Sequence, residues 1–518
     1  MSKHENLSGT KIREAIQVPG STSGSDVDDL EKGPMKVAST ENVDPNLVTW
    51  ESTADPMNPK NWPMRDKWVV TLLISCFLLA TLMSSTIISP ALPSIAKTLG
   101  MTSDVEIQTS MSVFVLGYAF GPLFLAPLSE VYGRVIVVQV SNVWFVIWSI
   151  VSGFAATKAQ MIAARLMAGI GGSAALAIGG GIVSDVWRPE QRGRSLALYS
   201  FVPLLGPAIG PLIGGYISQR ASWRWSFFVL AIFEGVLVLG SLLTFKETYA
   251  PTILSRKAKV LRKETGNSDL YTKYEKENPT LLPKLKSSLV RPTKFLFTHP
   301  ILQILTLYGA YSFGLLYIVH STFPALWINR YHETVSQSGL NFISIAIGFT
   351  IGAQVAAPMT DRIWQHLRKK AAASNPTADG SEPAIVPEYR VPLMLPGALL
   401  IPIGLLIYGW CAQAKTHWIG PNIGIAIFSA GSTVGTQCQT AYIVDSYPEY
   451  TASALAAFSV VKSFAGFGFP LFAPQMYQAL DYGWGNTLIA GVAILLGVPM
   501  PWILWKYGAR IRAKSAAH

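Results

Sequence analysis

The stretch Trp68-Val-Val-Thr-Leu-Leu-Ile-Ser-Cys-Phe-Leu-Leu-Ala-Thr-Leu-Met-Ser-Ser-Thr-Ile-Ile-Ser89 runs for 22 residues without a charge. A helix of that length measures about 30 Å at 1.5 Å per residue, the thickness of a bilayer's hydrocarbon core. Eleven further blocks of the same kind follow. Together they predict spans near 68–89, 108–129, 135–156, 159–184, 195–218, 225–245, 301–328, 338–360, 391–412, 418–443, 453–477 and 485–507. The expected fold class is an all-α membrane protein with twelve transmembrane helices in two six-helix bundles. Composition agrees, because only 14% of the 518 residues are charged where a soluble chain carries about 25%.

The net charge of +11 raises the question of a nucleic-acid partner. The polar tail before the first block is slightly acidic, with 8 Lys/Arg against 11 Asp/Glu in residues 1–67. The basic excess lies between the apolar blocks, and no basic patch is interleaved with aromatics. Membrane lipid, not nucleic acid, is therefore the expected partner of the positive charge. If the N-terminus is cytosolic, 33 of the 41 Lys/Arg fall on the cytosolic side and six outside, with Arg165 and Lys462 inside spans. The positive-inside rule then predicts a multi-pass protein with both termini cytosolic. The tail has no apolar core of signal-peptide type, so the first block reads as an uncleaved anchor. Cys76, Cys411 and Cys438 lie in apolar blocks and read as packing residues.

These observations divide the chain into a disordered cytosolic tail (1–67), a first bundle (68–246), a cytosolic central loop (247–300), a second bundle (301–508) and a cytosolic C-terminus (509–518). In the loop, Pro251–Lys263 can form a basic amphipathic helix with Ile253, Leu254, Ala258 and Leu261 on one side. It would lie on the anionic inner leaflet or else be a solvated linker. The bundles repeat each other. Ser85-Thr-Ile-Ile-Ser-Pro90 corresponds to Ser321-Thr-Phe-Pro324, Ala126-Pro-Leu-Ser-Glu130 to Ala357-Pro-Met-Thr-Asp361, and Asp185-Val-Trp-Arg-Pro-Glu190 to Asp445-Ser-Tyr-Pro-Glu449. Such a parallel repeat predicts substrate bound between halves that rock.

Four places carry a family resemblance. The loop after the second span reads Pro127-Leu-Ser-Glu-Val-Tyr-Gly133-Arg134. The fourth span contains Arg165-Leu-Met-Ala-Gly169-Ile-Gly171-Gly172. The fifth contains Gly206-Pro207-Ala-Ile-Gly210-Pro211-Leu-Ile-Gly214-Gly215, and the central loop opens Lys246-Glu-Thr-Tyr249-Ala-Pro251. The sequence resembles the major facilitator superfamily, and within it the fungal twelve-span drug:proton antiporters, over about residues 55–512. The first loop departs from the superfamily's signature: Ala126 stands for a glycine, Glu130 for an aspartate and Val131 for a basic residue. The fifth-span run matches the antiporter motif, which importers generally lack.

The resemblance implies a proton-coupled antiporter that exports small amphipathic organic compounds such as drugs, toxins or fungal secondary metabolites. It would act as a monomer in the plasma membrane, with protons and a small-molecule substrate as its other partners. The alternative is a proton-coupled importer or facilitator of a nutrient or organic acid; a receptor or membrane-embedded enzyme is disfavoured by the repeat. There is no Walker motif, metal-ligand cluster or nucleophile–base constellation, so no enzyme activity, cofactor or metal is expected.

Ionisable groups at bilayer depth are costly and usually functional. Arg165, Glu234, Lys462 and His320 are the candidates for proton coupling. Glu234 and His320 could equally be tolerated, buried polar groups. Glu130, Gly133, Arg134, Asp185, Arg192, Asp361, Arg362 and Asp445 sit at cytosolic span ends. They are expected to form gating ion pairs that lock the halves together in the outward-facing state. Gly206, Gly210 and Gly214 share one helix face with Pro207, Pro211 and Gly215 nearby, a surface for close packing. The superfamily lines its cavity with the first, fourth, seventh and tenth spans, which offer Ser85, Tyr311, Tyr317, Gln437, Gln439 and Tyr442.

Overall fold

Polar caps and glycine turns set the helix boundaries. The computed structural model describes residues 44, 46–275, 281–374, 386–448 and 450–515. Most of the expected disordered tail, the repeat's Glu449 and the last three residues lie outside these. The first six spans are built from α1 (Met64–Thr86), continued by the short α2 (Leu92–Leu99), then α3 (Asp104–Tyr132), α4 (Arg134–Gly153), α5 (Lys158–Gly172) with α6 (Ala174–Val186), α7 (Arg192–Leu204) with α8 (Gly206–Arg220), and α9 (Arg224–Thr244). Two helices, α10 (Ala250–Thr265) and α11 (Leu281–Thr298), occupy the central loop. The remaining spans are α12 (Pro300–Asn329), α13 (Val335–Leu340) with α14 (Ile343–Ser374), α15 (Met394–Gln413), α16 (Ile419–Ser446), α17 (Thr451–Gly497) and α18 (Pro499–Ser515). Ser103 and Thr157 cap the starts of α3 and α5 by accepting from Val105 N and Gln160 N. A reciprocal capping box of Thr334 and Gln337 starts α13.

Ten helical segments among the described residues are long and apolar enough to cross a membrane. The last of them, Thr451–Ala513, spans 63 residues, which is two crossings in one. Asp481, at φ 54° and ψ 179°, breaks it between the expected eleventh and twelfth spans. Helix α16 is not among the ten. Ser429, Ser432, Thr433, Gln437, Gln439 and Thr440 dilute its hydropathy, yet it has 28 residues and packs between α14 and α15. With that helix and the division at Asp481, the expected twelve are accounted for.

The described residues from Asn46 onward form one compact unit. Within the first six spans α1 packs on α7, α8 and α9, while α3 and α4 flank α5. In the last six, α12 packs on α17, and α15 and α14 flank α16. The two sets touch through α3 against α17 and through α8 against α13 and α14. The fifth-span glycines explain the closeness of α8 to α1. A Cβ on Gly210 would lie 2.7 Å from the Met83 carbonyl oxygen, and one on Gly214 would fall on that of Ile87.

The central loop corrects one expectation. A helix does form over the predicted basic segment, but Ile253, Leu254 and Ala258 on α10 are buried against protein. This helix therefore docks on α3 instead of lying on lipid or standing free. Beside it, strands β1 (Leu47–Val48) and β2 (Tyr271–Thr272) pair in parallel. Lys257 reaches across to Glu51 at 2.9 Å, and Asn267 to Asn46 at 3.1 Å.

Candidate functional site

Arg165 lies in α5, 1% exposed, far from either helix end. Its Nη1 donates to Ser84 Oγ at 3.0 Å, and its guanidinium sits 4.6 Å above the Phe114 ring. Nε and Nη2 are buried without a hydrogen-bond partner. A buried guanidinium with two idle donors is expensive to keep unless something else binds it. Tyr317 of α12 lies beside Arg165 and is hydrogen-bonded to Ser85, and Tyr118 of α3 neighbours Tyr317 and Tyr199 of α7. Tyr317 belongs to the last six spans, so this cluster crosses between the two sets.

The cluster continues on the far side. The Tyr317 ring is 5.0 Å from Phe313, and Lys462 of α17 lies 4.7 Å from Phe313 and 5.1 Å from Phe458. Gln439 is 1% exposed, and its Oε1 has no partner. The sequence-predicted Arg165, Ser85 and Tyr317 are thus brought together, with Lys462 linked to them through Phe313, beside rings that the sequence had not singled out: Phe114, Tyr118, Phe313 and, one ring further, Tyr199. Residues from α3 and α7 were missed because the reading looked only at the first, fourth, seventh and tenth spans. Gln437 is half-buried on α16.

Other candidates fall elsewhere. Glu234 is fully buried with both carboxylate oxygens unpartnered. Its helix α9 packs on α1, α4 and α8, all within the first six spans, and Glu234 lies near Cys76 of α1. It does not join the Arg165 cluster. The hydroxyl of Tyr311 is spent on the Ile489 carbonyl, inside the last six spans. Tyr442 is not a cavity residue: it is completely buried, and its hydroxyl donates to Glu388 Oε1 at 3.3 Å, while Arg512 bonds the other oxygen at 2.7 Å.

His320 is buried, with its ring 5.6 Å from Tyr317 and 6.3 Å from Phe342. Its carbonyl accepts a hydrogen bond from Ser89 Oγ, which joins α12 to the segment after α1. More contacts close the same end of the bundle. Gln219 Oε1 accepts from Ser336 N at 2.8 Å, and Gln478 Nε2 donates to Asp104 at 3.2 Å. Gly215 and Gly339 let α8 and α13 touch: a Cβ on Gly339 would lie 2.6 Å from the Pro211 carbonyl. Nearby, Glu333 takes a 2.7 Å hydrogen bond from Asn341, while burial pushes its carboxyl above the usual range.

The opposite end carries the expected gating residues, and the ion pairs described among them each lie within one half. Gly133 adopts φ 106°, and a Cβ there would fall on Glu247 Oε2. Glu247 Oε1 accepts from the backbone N–H groups of Arg134, Thr248 and Tyr249, each at 3.0 Å. Arg134 pairs with Asp185 at 3.5 Å and stacks 4.6 Å from Tyr249. Glu130 lines a cleft of about 590 Å³ beside them, with Lys60, Asp185, Tyr249 and Tyr274. Arg192 bonds the carbonyls of Ser184 and Trp187 at the end of α6, not a carboxylate. In the other set, Arg390 joins Asp361 and Asp445, each at 2.8 Å. Arg362 is exposed and forms no ion pair among the described residues. In this conformation the expected residues thus form one knot within each set, Arg134 with Asp185 and Arg390 with Asp361 and Asp445. The acids and turn were legible; Glu247 stood in the quoted central-loop motif without a gating role, and Arg390 was missed because it lies outside the quoted motifs. Replacing Arg390 with Gln should leave Asp445 short of its partner and cost about 2 kcal/mol. A lowered melting temperature of the solubilised chain would show it, and an unchanged one would deny the knot a structural role.

A twelve-span helical bundle with a buried, under-bonded polar cluster between its halves, one end closed by interhalf contacts and the other carrying an ion-pair knot in each half, has the build of a membrane transporter. Residues 74–470 match the Major Facilitator Superfamily. The chain is 43% identical over 492 residues to the efflux pump vrtL of Penicillium aethiopicum, covering 94% of this chain and 95% of the relative. It is 42% identical over 429 residues to the probable efflux pump mfs2 of Aspergillus flavus, covering 82% and 99%. Among solved structures, a D-xylose-proton symporter superposes with TM-score 0.61 at 15% identity, covering 85% of this chain and 97% of that one. The human organic anion transporter MFSD10 superposes with TM-score 0.56 at 17% identity, covering 85% and 100%. The chain belongs to the Major Facilitator Superfamily, whose members resembling it here are transporters, not enzymes.

Proposed function

We propose that this transporter exports small amphipathic organic compounds in exchange for protons, by alternating access across the plasma membrane. The observation that carries the reading is the Arg165 cluster: a buried cation with two idle donors, held between Phe114 and Phe227 and approached by Tyr317 of the other half. Aromatic walls with a few placed polar groups suit organic molecules of mixed polarity. Arg165 lies in this cluster, with Lys462 beyond it through Phe313, while Glu234 does not join it, so substrates bearing an acidic or strongly accepting group fit best. The named efflux pumps among the fungal relatives support the outward direction, and so does the fifth-span glycine–proline run. The charge distribution supports cytosolic termini. In that orientation the end closed by Ser89, His320, Gly215 and Gly339 faces outside. The conformation is then closed to the exterior, and the two halves, 68–246 and 301–508, rock about the cluster.

The test is reconstitution in liposomes with an imposed pH gradient and a panel of aromatic acids, neutral amphiphiles and aromatic cations. Substrate moving against the proton flow, acids ahead of cations, is the expected result. Uptake running with protons would establish the importer instead, and cation preference would remove Arg165 from substrate recognition.

A further inference from the structure

The central-loop helix α11 leaves one face without protein cover. Its inner side is packed: Pro292 is buried, and Phe295 lies 5.9 Å from the Tyr447 ring and 5.6 Å from that of Tyr450. The outer side presents Lys286, Leu289, Val290, Thr293, Lys294 and Phe297, all exposed. Their spacing of three and four residues makes a single helical stripe. Phe297 is 74% exposed and Val290 53%. Phenylalanine and valine in open water this close to a span start are out of place, because α12 begins at Pro300, three residues after Phe297. That continuity puts the stripe at the depth where a bilayer's headgroups meet its acyl chains. Lys286 and Lys294 flank Leu289 and Val290, and lysines beside an apolar stripe bury their stems along it and hold their ammonium groups at headgroup level.

We propose that α11 is an interfacial helix whose exposed stripe is seated on anionic phospholipid. The apolar side chains enter the acyl boundary, and Lys286 and Lys294 bind headgroup phosphates. The charge of the stripe selects acidic lipid over zwitterionic lipid, since a basic residue at a membrane surface is attracted by the negative surface potential. The seat has mechanical reach, because α11 packs on α3 of the first six spans and on α12 and α17 of the last six. Lipid held there bears on both halves at once. This role differs from that of α10, whose apolar side is already covered by protein.

A photo-crosslinking side chain, benzoylphenylalanine, is placed at Val290 in the full chain, reconstituted in equal parts phosphatidylcholine and phosphatidylglycerol. Adducts are identified by mass spectrometry, so the readout needs neither a known substrate nor transport. The expected result is lipid adducts with phosphatidylglycerol favoured about threefold or more. In the chain carrying K286E and K294E, lipid adducts should persist with the preference reduced to about one; K286Q with K294Q serves should the charge reversal fail to fold. Adducts to protein alone would place the stripe on a partner and overturn the proposal. So would equal labelling of the two lipids in the unaltered chain, or a preference indifferent to both lysine pairs.

Discussion

Gly215→Leu should hold the α8–α13 end of the bundle apart while each half stays folded. A Cβ at Gly215 would lie 2.8 Å from the Val335 carbonyl oxygen, which belongs to the opposite half. Backbone cannot yield as a flexible side chain can, so the halves must separate to admit leucine. Gly214 is the internal control. A Cβ there falls on the Ile87 carbonyl, within the same half, so Gly214→Leu should overpack the α1–α8 seam. It should cost about 1–3 kcal/mol of stability without opening the end. The measurement is the labelling rate, by a membrane-impermeant maleimide, of a cysteine placed at the buried Ser89, relative to the parent lacking it. Gly215→Leu should raise that rate by about tenfold or more, which a shift of about 1.4 kcal/mol between states supplies. Transport should fall with it, because the closed-out state is no longer reached. An unchanged labelling rate alongside a lowered melting temperature would make Gly215 a packing residue like its neighbour.

Arg165→Ala should abolish coupled flux without unfolding the chain. The guanidinium gives one hydrogen bond to Ser84, lies over Phe114, and keeps two donors in reserve. Charged hydrogen bonds contribute about 1.5–3 kcal/mol each, so losing one to a ligand weakens binding by roughly tenfold to a hundredfold. Loss of the proton-linked step would add to that. Arg165→Lys should rescue poorly, since an ammonium cannot reproduce the planar fork. Flux and substrate binding are measured on reconstituted protein, with elution profile and melting temperature as folding controls. Retained flux in Arg165→Ala would take the residue out of the mechanism.

The spans were legible because lipid imposes a crude rule, some 20 apolar residues per crossing, and the predicted ends agree with the helices to within a few residues for most of them. Where the agreement fails, the cause is local. Helix α14 runs on to Ser374 because polar residues continue a helix beyond the membrane as readily as they end one. Helices α2 and α11 carry no span-length signal at all. The central site was half legible. Arg165 and Lys462 announce themselves as charges at bilayer depth. Tyr118 and Tyr199 do not, because a tyrosine in an apolar run has the same look whether it faces lipid, core or cavity. Tyr442 misled for that reason: its partners Glu388 and Arg512 are 54 and 70 positions away. Ion-pair partners posed the same difficulty. Asp361 is adjacent to Arg362, yet it chose Arg390, since neighbouring residues on a helix point in different directions.

The small parallel pairing of Leu47–Val48 with Tyr271–Thr272 bears on how the chain is made. It fastens the beginning of the first six spans to the strand that follows their last, with Lys257–Glu51 as a second clasp. Every residue needed for that fastening is synthesised before the seventh span. The first half can thus be drawn shut as a finished loop, and its exposed α8 face then waits as a template on which the arriving α13 and α14 are laid.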